Sequence, residues 1–149
     1  MLTAYSDGYA VFTNGGSYPL EGGWYYITPL GSPTYVYSLG FSDSGVPGFT
    51  LAAQTIETSG WAVGVGPPTI TTANGRPGSA ILWVMDKNAG LRAQYAVPSN
   101  GQMISIPLPP SPQLSKFQRP VFGDGRYYIS SIVGTVTVRL KERFLKTHD

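Results

Sequence analysis

Glycine and proline interrupt this chain so often that long helices are excluded. The 149 residues include 19 glycines and 13 prolines. Proline lacks a backbone N–H donor and glycine is costly to order, so neither suits a helix interior. Because 42% of the residues are hydrophobic and 13% are aromatic, the chain still has enough apolar material for a packed core. The composition therefore predicts a folded domain of short strands and turns.

Short runs rich in Tyr, Trp, Val, Ile and Thr alternate with clusters of turn residues, which is typical of an all-β fold. Asn-Gly and Asp-Gly suit the positive φ angles of tight hairpin turns. Only Val138–Lys146 also fits a short helix. The predicted turns contain Asn14-Gly15-Gly16, Asn74-Gly75, Asn100-Gly101 and Asp124-Gly125. The predicted strands are Trp24–Thr28, Tyr35–Leu39, Phe49–Ile56, Ala80–Asp86, Leu91–Val97, Met103–Leu108, Arg126–Ser131 and Thr135–Leu140.

Three segments of the chain look like versions of one unit. In each, a strand with an aromatic residue leads through a glycine into a second strand. The aromatic residues Tyr26, Trp83 and Tyr128 are 57 and 45 residues apart. Propeller blades repeat at roughly 40–50 residues and have four antiparallel strands, although a β-sandwich also has short strands with turns between them. The spacing favours a partial β-propeller of about three four-stranded antiparallel blades in an incomplete ring, with a β-sandwich as the alternative.

Two stretches resemble a known family. One contains Ser79-Ala80-Ile81-Leu82-Trp83-Val84 and Ala89-Gly90-Leu91-Arg92-Ala93. The other contains Lys116-Phe117-Gln118-Arg119-Pro120 and Phe122-Gly123-Asp124-Gly125-Arg126-Tyr127-Tyr128. Both resemble the last blades of quinoprotein-like β-propellers, especially fungal extracellular members, which often accompany carbohydrate-associated modules. The resemblance extends from about Tyr9 to Val138 and implies an extracellular location and a protein or carbohydrate partner.

The resemblance also divides the chain into units. The blade-like units cover residues 9–60, 61–115 and 116–138, and residues 139–149 form a basic polar tail where a closing strand would be expected. Complete members have about seven or eight blades, and three blades cannot close a ring. The chain is therefore predicted to be a truncated piece of a propeller or a homo-oligomer in which a second copy completes the ring.

The charge distribution argues against a nucleic-acid partner. The net charge is +2, and four of the ten basic residues lie in the last eleven positions, so the rest of the chain is formally neutral. Nucleic-acid binding normally needs a basic face on the folded body. No apolar run is long enough to span a bilayer, so no membrane partner is predicted either.

The residues that catalysis usually requires are scarce. The chain has no cysteine, and its one histidine, His148, stands next to the C-terminus. Asp86 and Asn88 provide too few oxygen ligands for calcium and are better explained by a turn over residues 86–90. Asp124 is best explained as a hairpin corner. We predict no catalytic residue, no metal and no cofactor. Some quinoprotein-like propellers are dehydrogenases that use pyrroloquinoline quinone and calcium, so a fragment of a quinone-dependent oxidoreductase is the alternative.

Binding is the function that these exclusions favour. Arginine suits carboxylate or phosphate groups through its planar fork, and loop-to-strand junctions converge at the ends of a propeller channel. For Arg92 and Arg119 the alternative is a structural hydrogen bond between blades. The predicted binding residues are Arg92, Lys116, Gln118 and Arg119.

Four aromatic residues are candidates for stacking on sugar rings: Trp24, Tyr25, Tyr26 and Trp61. Because side chains alternate along a strand, these residues also fit a division between core and surface. The sequence thus predicts a non-catalytic propeller segment that acts as a binding or scaffold module. An open array of blades that assembles with itself is a further possibility.

Overall fold

The structure is a computed structural model that describes residues 15–60, 65–87, 89–111 and 113–139, with the backbone alone over 135–139. Trp61, Asn88, His148 and residues 140–149 of the predicted tail lie outside the described residues. The all-β prediction is confirmed, because the described residues contain strands and one short 3-10 helix, Leu20–Gly22. The strands are β1 Gly16–Tyr18, β2 Trp24–Ile27, β3 Pro33–Phe41, β4 Pro47–Thr58, β5 Thr69–Thr71, β6 Ile81–Asp86, β7 Gly90–Tyr95, β8 Ser105–Ile106, β9 Val121–Gly123, β10 Arg126–Ser131 and β11 Gly134–Arg139.

The strands form three open antiparallel sheets. The first sheet has the order β1-β2-β3-β4, the second β5-β6-β7-β8 and the third β11-β10-β9. Each strand pairs with its neighbours in the chain, so every sheet is a simple meander. The predicted four-stranded antiparallel sheets are therefore present twice, and the third sheet has three strands within the described residues.

The strands differ from the predicted ones in two ways. The predicted strand Met103–Leu108 is reduced to β8, whereas β4 extends beyond both ends of the predicted strand Phe49–Ile56, and three short strands were not predicted. β1, β5 and β9 have three residues each and stand beside glycine or proline, which masked their β character. Gly16, predicted to be part of a turn, is the first residue of β1. A short helix over Val138–Lys146 was the alternative to a strand. Val138 and Arg139 belong to β11, so this alternative is wrong for the first two residues of that stretch.

Three of the four predicted Asn-Gly and Asp-Gly turns are confirmed by their backbone angles, and Asn14 of the fourth lies outside the described residues. The paired φ angles are 54° and 73° at Asn74-Gly75, 50° and 75° at Asn100-Gly101, and 49° and 65° at Asp124-Gly125. Positive φ at two successive residues is the requirement of the tight turns that asparagine, aspartate and glycine tolerate best.

The second sheet is the middle layer of the molecule. Leu82 and Val84 of β6 pack with Tyr26 and other residues of the first sheet. Trp83, on the opposite face of β6, packs in a second cluster with Tyr127 and other residues of the third sheet. Successive side chains of a strand point to opposite faces, so β6 contributes to both clusters and is buried along almost its whole length. The molecule is thus a stack of three sheets with two junctions between them.

Candidate functional site

Arg92, the first of the predicted binding residues, is engaged within the protein. One guanidinium nitrogen, Nη2, lies 2.6 Å from the carbonyl oxygen of Thr58 at the end of β4 and 3.4 Å from Asp86 Oδ2. The Asp86 side chain is only 1% exposed. The guanidinium therefore connects the first sheet to the second. This is the structural hydrogen bond between units that was the alternative to ligand binding for Arg92.

Asp86 organises the connections around this ion pair. Its Oδ2 accepts a hydrogen bond of 2.9 Å from the backbone N–H of Gly60, and its Oδ1 accepts one of 3.3 Å from the N–H of Ala89. The second bond closes the turn between β6 and β7, so the predicted turn over residues 86–90 is confirmed. The carboxylate thus holds a hairpin and an adjoining sheet together.

The other three predicted binding residues share one segment that leads into β9. Lys116 and Arg119 are exposed, whereas Gln118 is half-buried. The side-chain oxygen of Gln118 is buried without a hydrogen-bond partner. The backbone at Gln118 approaches Gly66 so closely that a Cβ on this glycine would overlap the Gln118 carbonyl oxygen. The structure brings these three residues together, and no bond between described residues joins them to Arg92.

Of the two interpretations weighed for Tyr26, its burial fits a core position and leaves no exposed face for stacking on a sugar. This side chain is fully buried, and its hydroxyl donates a 2.9 Å hydrogen bond to the carbonyl oxygen of Ala96 in the second sheet. Burial raises the pKa of Tyr26 well above its ordinary value. Trp24 is half-buried, and its indole N–H donates to the carbonyl oxygen of Glu21. Tyr25 is also half-buried, with its ring 5.7 Å from that of Phe49.

Sequence reasoning missed a second polar contact between the first two sheets. The hydroxyl of Tyr18 donates to Glu21 Oε2 at 2.7 Å, and the backbone N–H of Gly78 donates to Glu21 Oε1 at 2.7 Å. Burial and the hydrogen bond to Glu21 raise the pKa of Tyr18 to about 12. Gly78 stands 57 positions from Glu21 in the chain, so no local sequence pattern identifies this contact.

A cleft opens at the other junction, between the second sheet and the β9–β10 hairpin. Its volume is about 680 Å³, which lies within the size range of ligand sites. The floor is apolar, and the rim carries hydroxyl, amide and charged groups. The apolar residues that line it are Ile81, Trp83, Ile106, Leu108 and Phe122. The polar residues at its rim include Thr72, Asn74, Ser79, Asp124 and Arg126. None of the predicted binding residues lines this cleft.

The described residues contain no group of three or more His, Asp or Glu side chains that could hold a metal ion. Over the same residues, no helix has the length and apolar character needed to cross a membrane. Comparisons with protein-family models, curated proteins and solved structures find no match to this chain.

Proposed function

We propose that this chain is a non-catalytic binding or scaffold module built as a segment of a β-propeller. The observation that carries the proposal is the face-to-face stack of antiparallel meanders, in which the first strands of the first two sheets approach one another. β1 contacts β5, and a Cβ on Gly16 would lie 2.9 Å from Pro68 Cβ. Propeller blades are four-stranded meanders arranged around a central channel, so close approach of one edge of each sheet supports this architecture.

The positions of the acidic side chains support a role without catalysis. Asp86 accepts hydrogen bonds from backbone N–H groups and pairs with Arg92. Glu21 accepts from Tyr18 and Gly78, as described above. A carboxylate that is occupied by structural hydrogen bonds is poorly placed to exchange protons with a substrate. These side chains support an interpretation in which the acidic residues connect sheets.

The outer face of the first sheet supports a scaffold role. Tyr26 faces the second sheet, so the alternating positions on β2, β3 and β4 face away from it. On that outer face Tyr25 pairs with Tyr37, and Tyr37 pairs with Leu51, which is 51% exposed. Aromatic residues are enriched where proteins bind one another. A second copy of this chain, stacked on this face, is the partner that we propose.

The first experiment is to measure the mass in solution by size-exclusion chromatography with light scattering. We expect a discrete, compact dimer. We also expect Leu51→Lys to convert it to a folded monomer, whose free energy of unfolding lacks the contribution of dimerisation. Thr50→Lys is the matched control, because Thr50 is exposed on the opposite face of the same strand. Heterogeneous aggregates, or an expanded monomer from the unchanged chain, would overturn the scaffold role.

A second measurement addresses the oxidoreductase alternative. The protein is titrated with pyrroloquinoline quinone in the presence of calcium, and the absorbance spectrum and melting temperature are followed. The proposal predicts no saturable change in either quantity. A saturable spectral change with a raised melting temperature would favour a fragment of a quinone-dependent enzyme, because a ligand that binds only the folded state stabilises it.

A further inference from the structure

The cleft at the second junction exists because the second and third sheets separate at one end. At its inner end the ring of Trp83 lies 5.0 Å from Phe122 and 5.6 Å from Tyr127, so the sheets are in contact there. Two residues earlier on the same face of β6, Ile81 pairs with Thr71 and Tyr95. These positions line the cleft together with the Asp124-Gly125 turn of the β9–β10 hairpin. The cleft therefore has the shape of a wedge between two sheets, and this shape suits a ring-shaped ligand group.

The floor of the wedge is rigidly placed. The indole N–H of Trp83 donates a 2.8 Å hydrogen bond to the hydroxyl of Thr71, and the Trp83 side chain is 1% exposed in total. Its position is therefore determined by the sheet before any ligand arrives. A preformed apolar floor lowers the entropic cost of binding, because little needs to be ordered.

The rim carries one negatively charged and one positively charged side chain, and both can form hydrogen bonds. Asp124 is exposed and supplies a carboxylate that accepts hydrogen bonds, whereas the half-buried Arg126 supplies only donors. Neither has an ion-pair partner among the described residues. Asn74, at the opposite rim, offers both a donor and an acceptor. An anionic ligand would be repelled by Asp124 and a cationic ligand by Arg126, so the rim favours a neutral ligand with several polar groups.

We propose that this cleft binds a neutral ring that has an apolar face and carries hydroxyl groups along its edge, either a sugar ring or a hydroxylated aromatic ring. The apolar face of such a ring would pack on Phe122 and Ile81, as aromatic and aliphatic walls require. Its hydroxyl groups would donate to Asp124 and accept from Arg126. This inference rests on the proposed binding role and assigns it a ligand class and a location.

The test uses the full chain labelled with ¹⁵N and three neutral probes. The probes are 4-hydroxyphenyl β-glucoside, which contains both ring types, methyl β-glucoside and hydroquinone. Binding is followed through the indole N–H signal of Trp83, which is identified by its absence from Trp83→Phe. We expect the combined probe to shift this signal saturably at millimolar concentration. Methyl β-glucoside and hydroquinone then show whether the sugar ring or the aromatic ring packs on the apolar floor of the cleft.

Paired variants locate the site. Arg126→Gln should weaken binding of the combined probe by about tenfold, which is the size expected for a lost hydrogen bond to a charged group. Arg119→Gln removes the same charge from the exposed segment before β9 and should leave the affinity unchanged. Asn74→Asp should weaken binding, whereas Asn100→Asp is a matched change in the equivalent turn outside the cleft and should not. Both asparagines have positive φ angles that aspartate also tolerates, so these two variants should fold.

Three results would overturn the inference. The first is a Trp83 signal that none of the neutral probes moves although the protein remains folded. The second is tighter binding of anionic 4-hydroxybenzoate than of the neutral probes. The third is equal weakening by Arg126→Gln and Arg119→Gln. If any of these occurs while the protein remains a discrete dimer, the cleft proposal fails and the scaffold role stands.

Discussion

The two junctions between neighbouring sheets are built from different chemistry. The first and second sheets are joined by polar contacts, including Tyr26 with Ala96, Arg92 with Thr58 and the Asp86 carboxylate with the Gly60 N–H. A further bond of 2.6 Å joins the Ser105 hydroxyl to Glu57 Oε1. The strands of the second and third sheets instead meet through the rings of Trp83, Phe122 and Tyr127. The polar contacts at this junction go through the segment before β9, where Ser111 Oγ accepts from the Leu91 N–H and the Gln113 carbonyl oxygen accepts from the Ile132 N–H.

This difference explains why the cleft lies where it does. Hydrogen bonds require short distances and aligned groups, so a junction with several of them is held in one arrangement. Apolar packing is not directional, and it stabilises two sheets wherever enough surface is in contact. Contact between the strands of the second and third sheets can therefore end beyond Trp83, where the cleft begins. The cleft at one junction and the hydrogen-bonded connection at the other are consequences of the same contrast.

The largest expected effect comes from removing the centre of the aromatic junction. Trp83→Ala deletes a side chain that is 1% exposed and packs on the rings of Phe122 and Tyr127 in the third sheet. Large-to-small substitutions of buried aromatic residues cost about 3–5 kcal/mol, because a cavity remains. We expect a loss of about 4 kcal/mol in the free energy of unfolding, measured by urea denaturation.

Trp24→Ala is the control, since Trp24 is half-buried at the start of β2 in the first sheet. It should cost about 1–2 kcal/mol, in proportion to the smaller area that it removes from water. Equal losses from the two tryptophan variants would contradict the central role of Trp83. Hydrogen exchange of Trp83→Ala sharpens the comparison. If backbone amides lose protection only in the third sheet, the two junctions open independently.

The next largest effect is expected at the polar junction. Asp86→Ala leaves the Arg92 guanidinium and the Gly60 N–H without their carboxylate partner. Removing one member of a buried ion pair is costly because the remaining charge is uncompensated. We expect a loss of about 3 kcal/mol in the free energy of unfolding by urea denaturation.

Two further substitutions serve as controls for this prediction. Asp86→Asn keeps an oxygen that accepts hydrogen bonds, so it should cost less than Asp86→Ala. Asp43→Ala removes an exposed carboxylate at the β3–β4 turn and should change the free energy of unfolding by less than about 0.5 kcal/mol. If Asp86→Ala is no more harmful than Asp43→Ala, the polar contacts do not hold the first junction together.

The elements that sequence predicts well are those determined by neighbouring residues. The strand Ala80–Asp86 was predicted within one residue of β6, because its six apolar and β-branched residues are consecutive. The turn at Asn100-Gly101 was predicted because both residues tolerate positive φ. β1, β5 and β9 were missed, since strands of three residues are defined by their partners more than by their own composition.

The candidate site was less predictable than the fold. Arg92 was correctly placed near a strand start, but its bond to Thr58 spans 34 positions of the chain and depends on how two sheets stack. The cleft is formed by residues as far apart in sequence as Thr71 and Arg126. Whether a buried strand face meets another sheet closely or leaves a wedge depends on tertiary packing. Periodicity within one strand carries no information about that spacing.

The smallest effect, and the one most specific to the polar junction, is expected from Tyr26→Phe. This substitution removes only the hydroxyl that donates to the Ala96 carbonyl oxygen, and it keeps the buried ring. At neutral pH we expect a loss of about 1 kcal/mol in the free energy of unfolding, as for a typical buried hydrogen bond.

Alkaline pH distinguishes this bond from simple packing. Burial raises the pKa of Tyr26 in the folded protein, whereas the tyrosine of the unfolded chain ionises near pH 10. Below about pH 10 both states keep the proton, so the stabilisation is fully present. Above that pH the unfolded chain loses its proton first, and the stability of the unchanged protein falls as pH rises. Phenylalanine cannot ionise, so the advantage of the unchanged protein over Tyr26→Phe should shrink between about pH 10 and pH 11 in urea denaturation. A constant difference across that range would mean that Tyr26 ionises equally in both states, so that burial at the first junction does not protect its proton.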